Sequence, residues 1–364
     1  MPTRLQRLAA ALAQGGYDAY LALQRPNQLY LIPATEPVSA LPPVPFILFG
    51  KDAPLVFPGP AFYYACRDAL TGCEIAKTEV GDPDVRARLV EALAARNIRR
   101  LVSDPLPPDL AAELQRSLPG LTLVEDRRWG AHLRRTKEPQ ELALLREAAR
   151  IADLGMAAAF AAARPGVSGR AIAAEAAAVM LRAGCEEAGL QVAVGPATAY
   201  MGTGNWVSEP RRKLQAGDLL LVDMAILYHG YLGDQTRTAI VGEGTPAQRA
   251  LIETVQAAYR ATRDAMRPGA RSADLYAITV AMLEAKGWRR YFPHHISHGL
   301  GLGGDLPRVA LDADDTLQEG DALSCEPGVY IPGLGGARFE NMLVITATGA
   351  EELTRSPWNP TPGG

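Results

Sequence analysis

A chain of 364 residues has room for two domains, and its 48% hydrophobic and 21% charged content is that of a globular protein with sizeable cores. A formal net charge of -3, with no long basic run, excludes the electrostatic footprint of a nucleic-acid binder or of a protein drawn to anionic membranes. No uncharged apolar stretch is long enough to span a bilayer, and four cysteines without paired spacing (Cys66, Cys73, Cys185, Cys325) fit a reducing cytoplasm better than a disulfide scaffold.

At the start of the chain, Leu5, Leu8 and Leu12 fall on one helical face, and no small-residue cleavage site precedes Gly15-Gly16. The segment therefore reads as the first helix of a folded domain. Apolar patches at 19–23, 45–49 and 55–57 read as buried strands; 85–96 reads as a helix, followed by a strand at Leu101-Val102 and a helix over 109–117. Such alternation predicts an α/β domain, with a proline-punctuated loop over 33–45. A boundary is expected within 128–137, dividing the chain into 1–130 and 131–364. Beyond it come Ala-rich helices over 138–163 and 168–183, strand-like sequence from 190, and helices over 246–266 and 272–286. This mixture predicts an α+β second domain.

The chemistry concentrates in that second part. Asp223 ends the apolar run Leu219-Leu220-Leu221-Val222, and Asp234 follows 11 positions later across the turn-like Tyr228-His229-Gly230-Tyr231. A hairpin folded about the midpoint sets the two aspartates opposite each other. Glu326 and Glu340 are symmetric about Gly333, in a second Pro/Gly-rich turn. Like charges across paired strands destabilise unless something neutralises them, so two such hairpins meeting in one core call for protons or metal. His298 lies in a run holding three of the five histidines, beside glycines that leave an ion free to approach. Four carboxylates and one imidazole suit Mn, Co, Fe or Zn better than a thiol-loving metal. The string Gly299-Leu300-Gly301-Leu302-Gly303-Gly304 formally fits a dinucleotide fingerprint, but it follows histidines and no helix follows it.

The segments Gly217–Asp223, Asp234-Gln235-Thr236-Arg237-Thr238, His298-Gly299-Leu300-Gly301-Leu302, Glu326-Pro327-Gly328-Val329-Tyr330 and Arg338-Phe339-Glu340-Asn341 resemble, in order and spacing, the signature of the pita-bread metallopeptidases. That family includes prolidase, aminopeptidase P, methionine aminopeptidase and creatinase. The resemblance implies an α+β pita-bread catalytic domain preceded by a smaller α/β domain of creatinase N-terminal type. It implies two divalent ions, manganese first and cobalt or zinc next, on Asp223, Asp234, His298, Glu326 and Glu340, with Asp234 and Glu340 bridging and Glu326 also handling a proton. The substrate it implies is a short proline-containing peptide, cleaved before proline by a cytoplasmic homodimer. In related dimers the proline-rich loop would limit peptide length.

The chain departs from the family pattern around the substrate. His294 matches a family histidine, a candidate to hold a substrate carbonyl or carboxylate, and His295 beside it reads as structural. Trp206 and Asp305 stand where relatives often carry histidine: Asp305 becomes the candidate proton donor to the proline nitrogen, and Trp206 a surface for the proline ring. Tyr330 and Arg338 complete the expected substrate pocket. Rival readings are a same-fold metal-dependent hydrolase or lyase acting on a non-peptide small molecule, and a non-catalytic binding module.

Overall fold

The computed structural model describes residues 3–32, 41–78, 85–203 and 212–363. Trp206 and most of the proline-rich loop lie outside the described residues. The chain divides into two compact units, Met1–Arg134 and Arg135–Gly364.

The first unit is an α/β layer structure. Its strands are β1 (Ala19–Ala22), β2 (Phe46–Phe49), β3 (Leu55–Phe57), β4 (Glu74–Ile75), β5 (Arg100–Ser103) and β6 (Thr122–Glu125), and they form one sheet in the order β4-β3-β2-β1-β5-β6. Its helices are α1 (Arg4–Gly15), α2 (Arg25–Leu31), α3 (Tyr63–Ala69), α4 (Val85–Ala95), α5 (Pro108–Ser117) and α6 (Trp129–Arg134). The four-residue strands β1 and β2 are buried along their whole length, which is why they read as unbroken apolar patches rather than alternating ones. Leu89, Leu93, Leu110 and Leu114 of α4 and α5 pack on Leu21, Leu48 and Leu101 of the sheet. Inside the unit Asp104 is a buried hub, accepting from the Tyr20 hydroxyl, the Asn27 amide and the backbone of Leu23 and Gln24.

The second unit opens with α7 (Pro139–Ala162) and α8 (Gly169–Arg182). Helix α7 starts at Pro139 because Glu138 caps it, its backbone N–H answered by the Glu141 carboxylate, and proline suits the first helical position. Three antiparallel strands follow, β7 (Glu187–Val194), β8 (Leu219–Tyr228) and β9 (Tyr231–Ile240). Helices α9 (Pro246–Ala265) and α10 (Ser272–Glu284) then lead into a second antiparallel sheet. That sheet, in the order β11-β10-β12-β15-β16, uses β10 (Ser297–Gly299), β11 (Asp305–Val309), β12 (Ala322–Cys325), β15 (Asn341–Thr346) and β16 (Gly349–Glu352). Between β12 and β15 the chain forms a hairpin of β13 (Gly328–Ile331) and β14 (Gly335–Arg338).

Strand periodicity directs the site. Along β8, Leu220, Val222, Met224 and Ile226 face the core shared with α7 and α8. The alternate residues point the other way: Leu219 joins the core under α9 and α10, Leu221 packs on Tyr330, and Asp223 comes next on that face. Burying each of those large aliphatic side chains contributes about 1.5–3 kcal/mol, so a register slip that turned Asp223 into the helical layer would be heavily disfavoured.

Candidate metal centre

The β8–β9 turn differs from the expected one by one pair. Tyr228 pairs with Tyr231 around a two-residue loop in which His229 and Gly230 both have positive φ, 49° and 79°, the geometry that matches the twist of a hairpin. Asp223 therefore faces Thr236, and Asp234 faces Ala225. The two aspartates are diagonal neighbours on one face, with Thr236 beside both. In the second hairpin, Gly328 pairs with Arg338, and across the β12–β15 ladder Cys325 pairs with Asn341. Both ladders share one register, so Glu326 and Glu340 stand opposite each other in the gap between them. The two hairpins meet where the Glu340 N–H donates to the Thr236 carbonyl, 3.1 Å away.

His298 joins them from β10. Its Nε2 lies 3.3 Å from Asp234 Oδ2 and 3.4 Å from Glu326 Oε1, while Nδ1 faces the Gly299 carbonyl at 3.2 Å. Donor atoms of Asp234, His298 and Glu340 all lie within 4.8 Å of one another, as do those of His295, His298 and Glu326. Asp223 belongs to neither trio. Its Oδ2 pairs with Arg338 Nη2 at 2.8 Å and its Oδ1 accepts from the Thr236 hydroxyl at 2.5 Å, and that hydroxyl also lies 2.8 Å from Glu340 Oε2.

The electrostatics are those of crowded, buried charge. Burial, reinforced by Asp234, Glu326 and Asp223, holds the Glu340 carboxyl well above the usual carboxylate range. Burial likewise pushes Asp234 up to about 6 against the pull of His298. Burial also works against charge on His298 and Glu326, but their partners outweigh it, raising His298 to about 9 and drawing Glu326 down to about 2. Glu340 Oε1 is buried without a hydrogen-bond partner. A crowded set of carboxylates, an orphaned oxygen and an imidazole nitrogen flanked by two carboxylates at more than hydrogen-bond length together fit hard or borderline divalent cations.

The sequence profile described as metallopeptidase family M24 matches residues 143–347. A putative dipeptidase of Bacillus subtilis (strain 168), YkvY, is 31% identical, the match covering 97% of this chain and 98% of that one. The chain belongs to metallopeptidase family M24. The Xaa-Pro dipeptidase of Pyrococcus horikoshii is 26% identical over 98% of both chains. The crystal structure of the prolidase from Pyrococcus horikoshii OT3 superposes with a TM-score of 0.86 at 25% identity, covering 98% of this chain and 99% of that one. The second unit thus carries the metallopeptidase fold that the motifs implied.

Around the donor set the metallopeptidase places the other candidate residues unequally. Arg338 also donates to the Tyr330 hydroxyl at 2.7 Å and to Thr236 Oγ1 at 3.0 Å. The Tyr330 hydroxyl lies 3.0 Å from His294 Nε2, and His294 Nδ1 lies 2.6 Å from the His295 carbonyl. Since the His295 carbonyl can only accept, His294 carries its hydrogen on Nδ1 and accepts a hydrogen bond from the Tyr330 hydroxyl at Nε2, and burial lowers its pKa to about 4. Asp305, expected to donate a proton, is committed elsewhere: its carboxylate lies 3.1 Å from Lys137 Nζ, and both side chains are buried. It is absent from both donor trios. A carboxylate held in a buried ion pair is a structural element first.

Residues outside the expected ligand and substrate sets hold the site in shape. Ser324 Oγ donates to Glu326 Oε1 and accepts from the His298 N–H, both at 3.1 Å. Arg237, fully buried, spends its five N–H groups on five uncharged oxygens: the carbonyls of Thr236, Glu340, Ser356 and Pro357, and Asn341 Oδ1. It braces the Glu340 backbone and adds a positive charge behind the carboxylates.

Metal loading is expected to release protons. His298, raised to about 9, would carry an extra proton at pH 7 and would have to lose it before Nε2 could take a metal. Apparent Mn²⁺ affinity should therefore climb as pH rises toward 9. Titration calorimetry in buffers of different ionisation heat would check this, and a flat pH profile with no buffer dependence would contradict it.

Proposed function

We propose that this metallopeptidase hydrolyses the bond before proline in short Xaa-Pro peptides, using two divalent ions held by Asp223, Asp234, His298, Glu326 and Glu340. The observation that carries the reading is the buried donor set around His298 Nε2, whose carboxylates repel one another until cations neutralise them. The family relatives named Xaa-Pro dipeptidase and prolidase support the substrate class. The reading includes manganese as resident metal, in keeping with an oxygen-rich set. It also includes a homodimer working in the cytoplasm, where the four free cysteines would stay reduced. The first unit would be the N-terminal domain and the second the catalytic one.

When bound, the ions would supply Lewis acidity and make water more acidic at neutral pH. The protein's own groups supply the rest. Glu326, held low in pKa by His295, His298 and Arg338, is an anion able to take a proton from water and pass it on. Arg338 fixes Asp223 and, through Tyr330, the ring of His294, so one guanidinium orients both the donor set and the candidate substrate wall. His294, kept neutral by burial, and Tyr330 would meet the peptide; Trp206 would pack on its proline ring. A tertiary amide needs its nitrogen protonated as it leaves. Since Asp305 is tied to Lys137, Glu326 is the acid this reading assigns to that step.

The test is a panel of Xaa-Pro dipeptides, longer Xaa-Pro peptides and Xaa-Ala controls, assayed with Mn²⁺, Co²⁺ or Zn²⁺ and after chelation. Proline release that chelator abolishes and Mn²⁺ restores is expected. A fully metal-loaded protein inert on every proline peptide would overturn the substrate assignment.

A further inference from the structure

We infer that His295 is a positioning residue of the metal centre: its ring N–H holds one oxygen of Glu326 and so fixes which oxygen that carboxylate can present. The inference rests on the reading of Glu326 as a ligand, and extends it to a neighbour that motif reading left as structural.

The two imidazoles beside Glu326 approach it differently. His295 Nε2 lies 3.0 Å from Glu326 Oε1, the length of an ordinary N–H···O hydrogen bond. His298 Nε2 sits farther off, at 3.4 Å from that oxygen and 3.3 Å from Asp234 Oδ2, as two donors of a common cation would be placed around it. The same Oε1 accepts from Ser324 Oγ at 3.1 Å, so two donors converge on it. The backbone grips the same residue, since the Glu326 N–H donates to the Ile296 carbonyl at 2.8 Å. Residues 295 and 296 thus hold Glu326 at both its main chain and its side chain.

The imidazole stands partly in solvent. The His295 side chain is 35% exposed and meets the ring edges of His294 and His298, at centroid distances of 5.9 and 5.6 Å. Truncating it opens no core cavity. Partners that orient a ligand from behind typically change metal affinity or activity about 10–100-fold when removed.

The experiment compares the full-length protein with His295→Ala and His295→Gln, the latter keeping an N–H donor near the position of Nε2. We expect His295→Ala to keep the Tm of the metal-free wild type and to bind Mn²⁺ about 10–100-fold more weakly. Its kcat on an Xaa-Pro dipeptide should fall more than its KM changes, and His295→Gln should recover most of both losses. With Cu²⁺ as probe, pulsed EPR should count one coordinated imidazole in wild type and variant alike. Unchanged Mn²⁺ affinity in His295→Ala would overturn the inference. So would two imidazoles in wild type falling to one in the variant, because His295 would then be a ligand. A lower Tm that Gln does not restore would also overturn it, as the mark of a purely structural part. Mn²⁺ and Cu²⁺ binding are read without substrate, so failure of the Xaa-Pro assignment would leave these outcomes intact and separately readable.

Discussion

Glu340→Gln is expected to lower kcat/KM by at least about a thousandfold, beyond the range of groups that act from behind a ligand, and yet to stabilise the metal-free protein. Both effects come from one side chain. Glu340 is 1% exposed, its Oε1 has no hydrogen-bond partner, and burial with three neighbouring carboxylates raises its pKa well above the usual carboxylate range. Because the folded protein binds this proton more tightly than the unfolded chain does, ionisation opposes folding. The penalty is absent in acid and grows as pH climbs above the unfolded value. Removing the charge should therefore raise the Tm of chelated protein at neutral and alkaline pH, and leave it unchanged near pH 4. A gain on the order of 1 kcal/mol corresponds to about 2–4 °C in a unit of this size. Scanning fluorimetry with chelator across pH would show it, and with Mn²⁺ the order should reverse, because the wild type gains binding energy that the variant forfeits. A variant that is less stable without metal would remove the case for a cage under electrostatic strain.

The second large effect is expected at Lys137. Its ammonium faces Asp305 at 3.1 Å with both side chains almost wholly buried. Removing one partner of such a pair costs about 3–5 kcal/mol, or about 6–20 °C in Tm here, whereas replacing both with apolar groups of similar size is often neutral. Lys137→Met should thus be badly destabilised, and Lys137→Met/Asp305→Leu should recover most of the loss. The double variant also decides Asp305's role. Stability and activity regained together mark the pair as architecture. Stability regained with activity lost would return Asp305 to the list of proton donors.

Asp223 at the end of an apolar run, and Glu326 and Glu340 symmetric about Gly333, are legible because charge in a buried strand is costly and a hairpin turns spacing into register. The β8–β9 register is off by one pair because the turn centres on His229-Gly230, and only backbone geometry reveals that His229 adopts positive φ. The Lys137–Asp305 pair joins residues 168 positions apart, and no local pattern marks it. The roles of Thr236 and Arg237, which the motif contains, and of Ser324 are hidden for a different reason. Hydroxyls and an arginine in strands look like ordinary surface residues until burial and the partners of each hydrogen are known. His295 had a signal, the density of histidines in its run, but sequence cannot say which ring meets a carboxylate.

Arg237 ties the site to a later stretch of the chain. Two of its five oxygen partners, the carbonyls of Ser356 and Pro357, come after the last candidate ligand, and Trp358 lies against its guanidinium at 4.9 Å. A stretch of chain ending at residue 341 already holds every candidate acid, the imidazole and three of the five oxygens around Arg237, and the carbonyls of Ser356 and Pro357 supply the other two. A chain cut short at residue 355 would possess the candidate ligands with the brace incomplete.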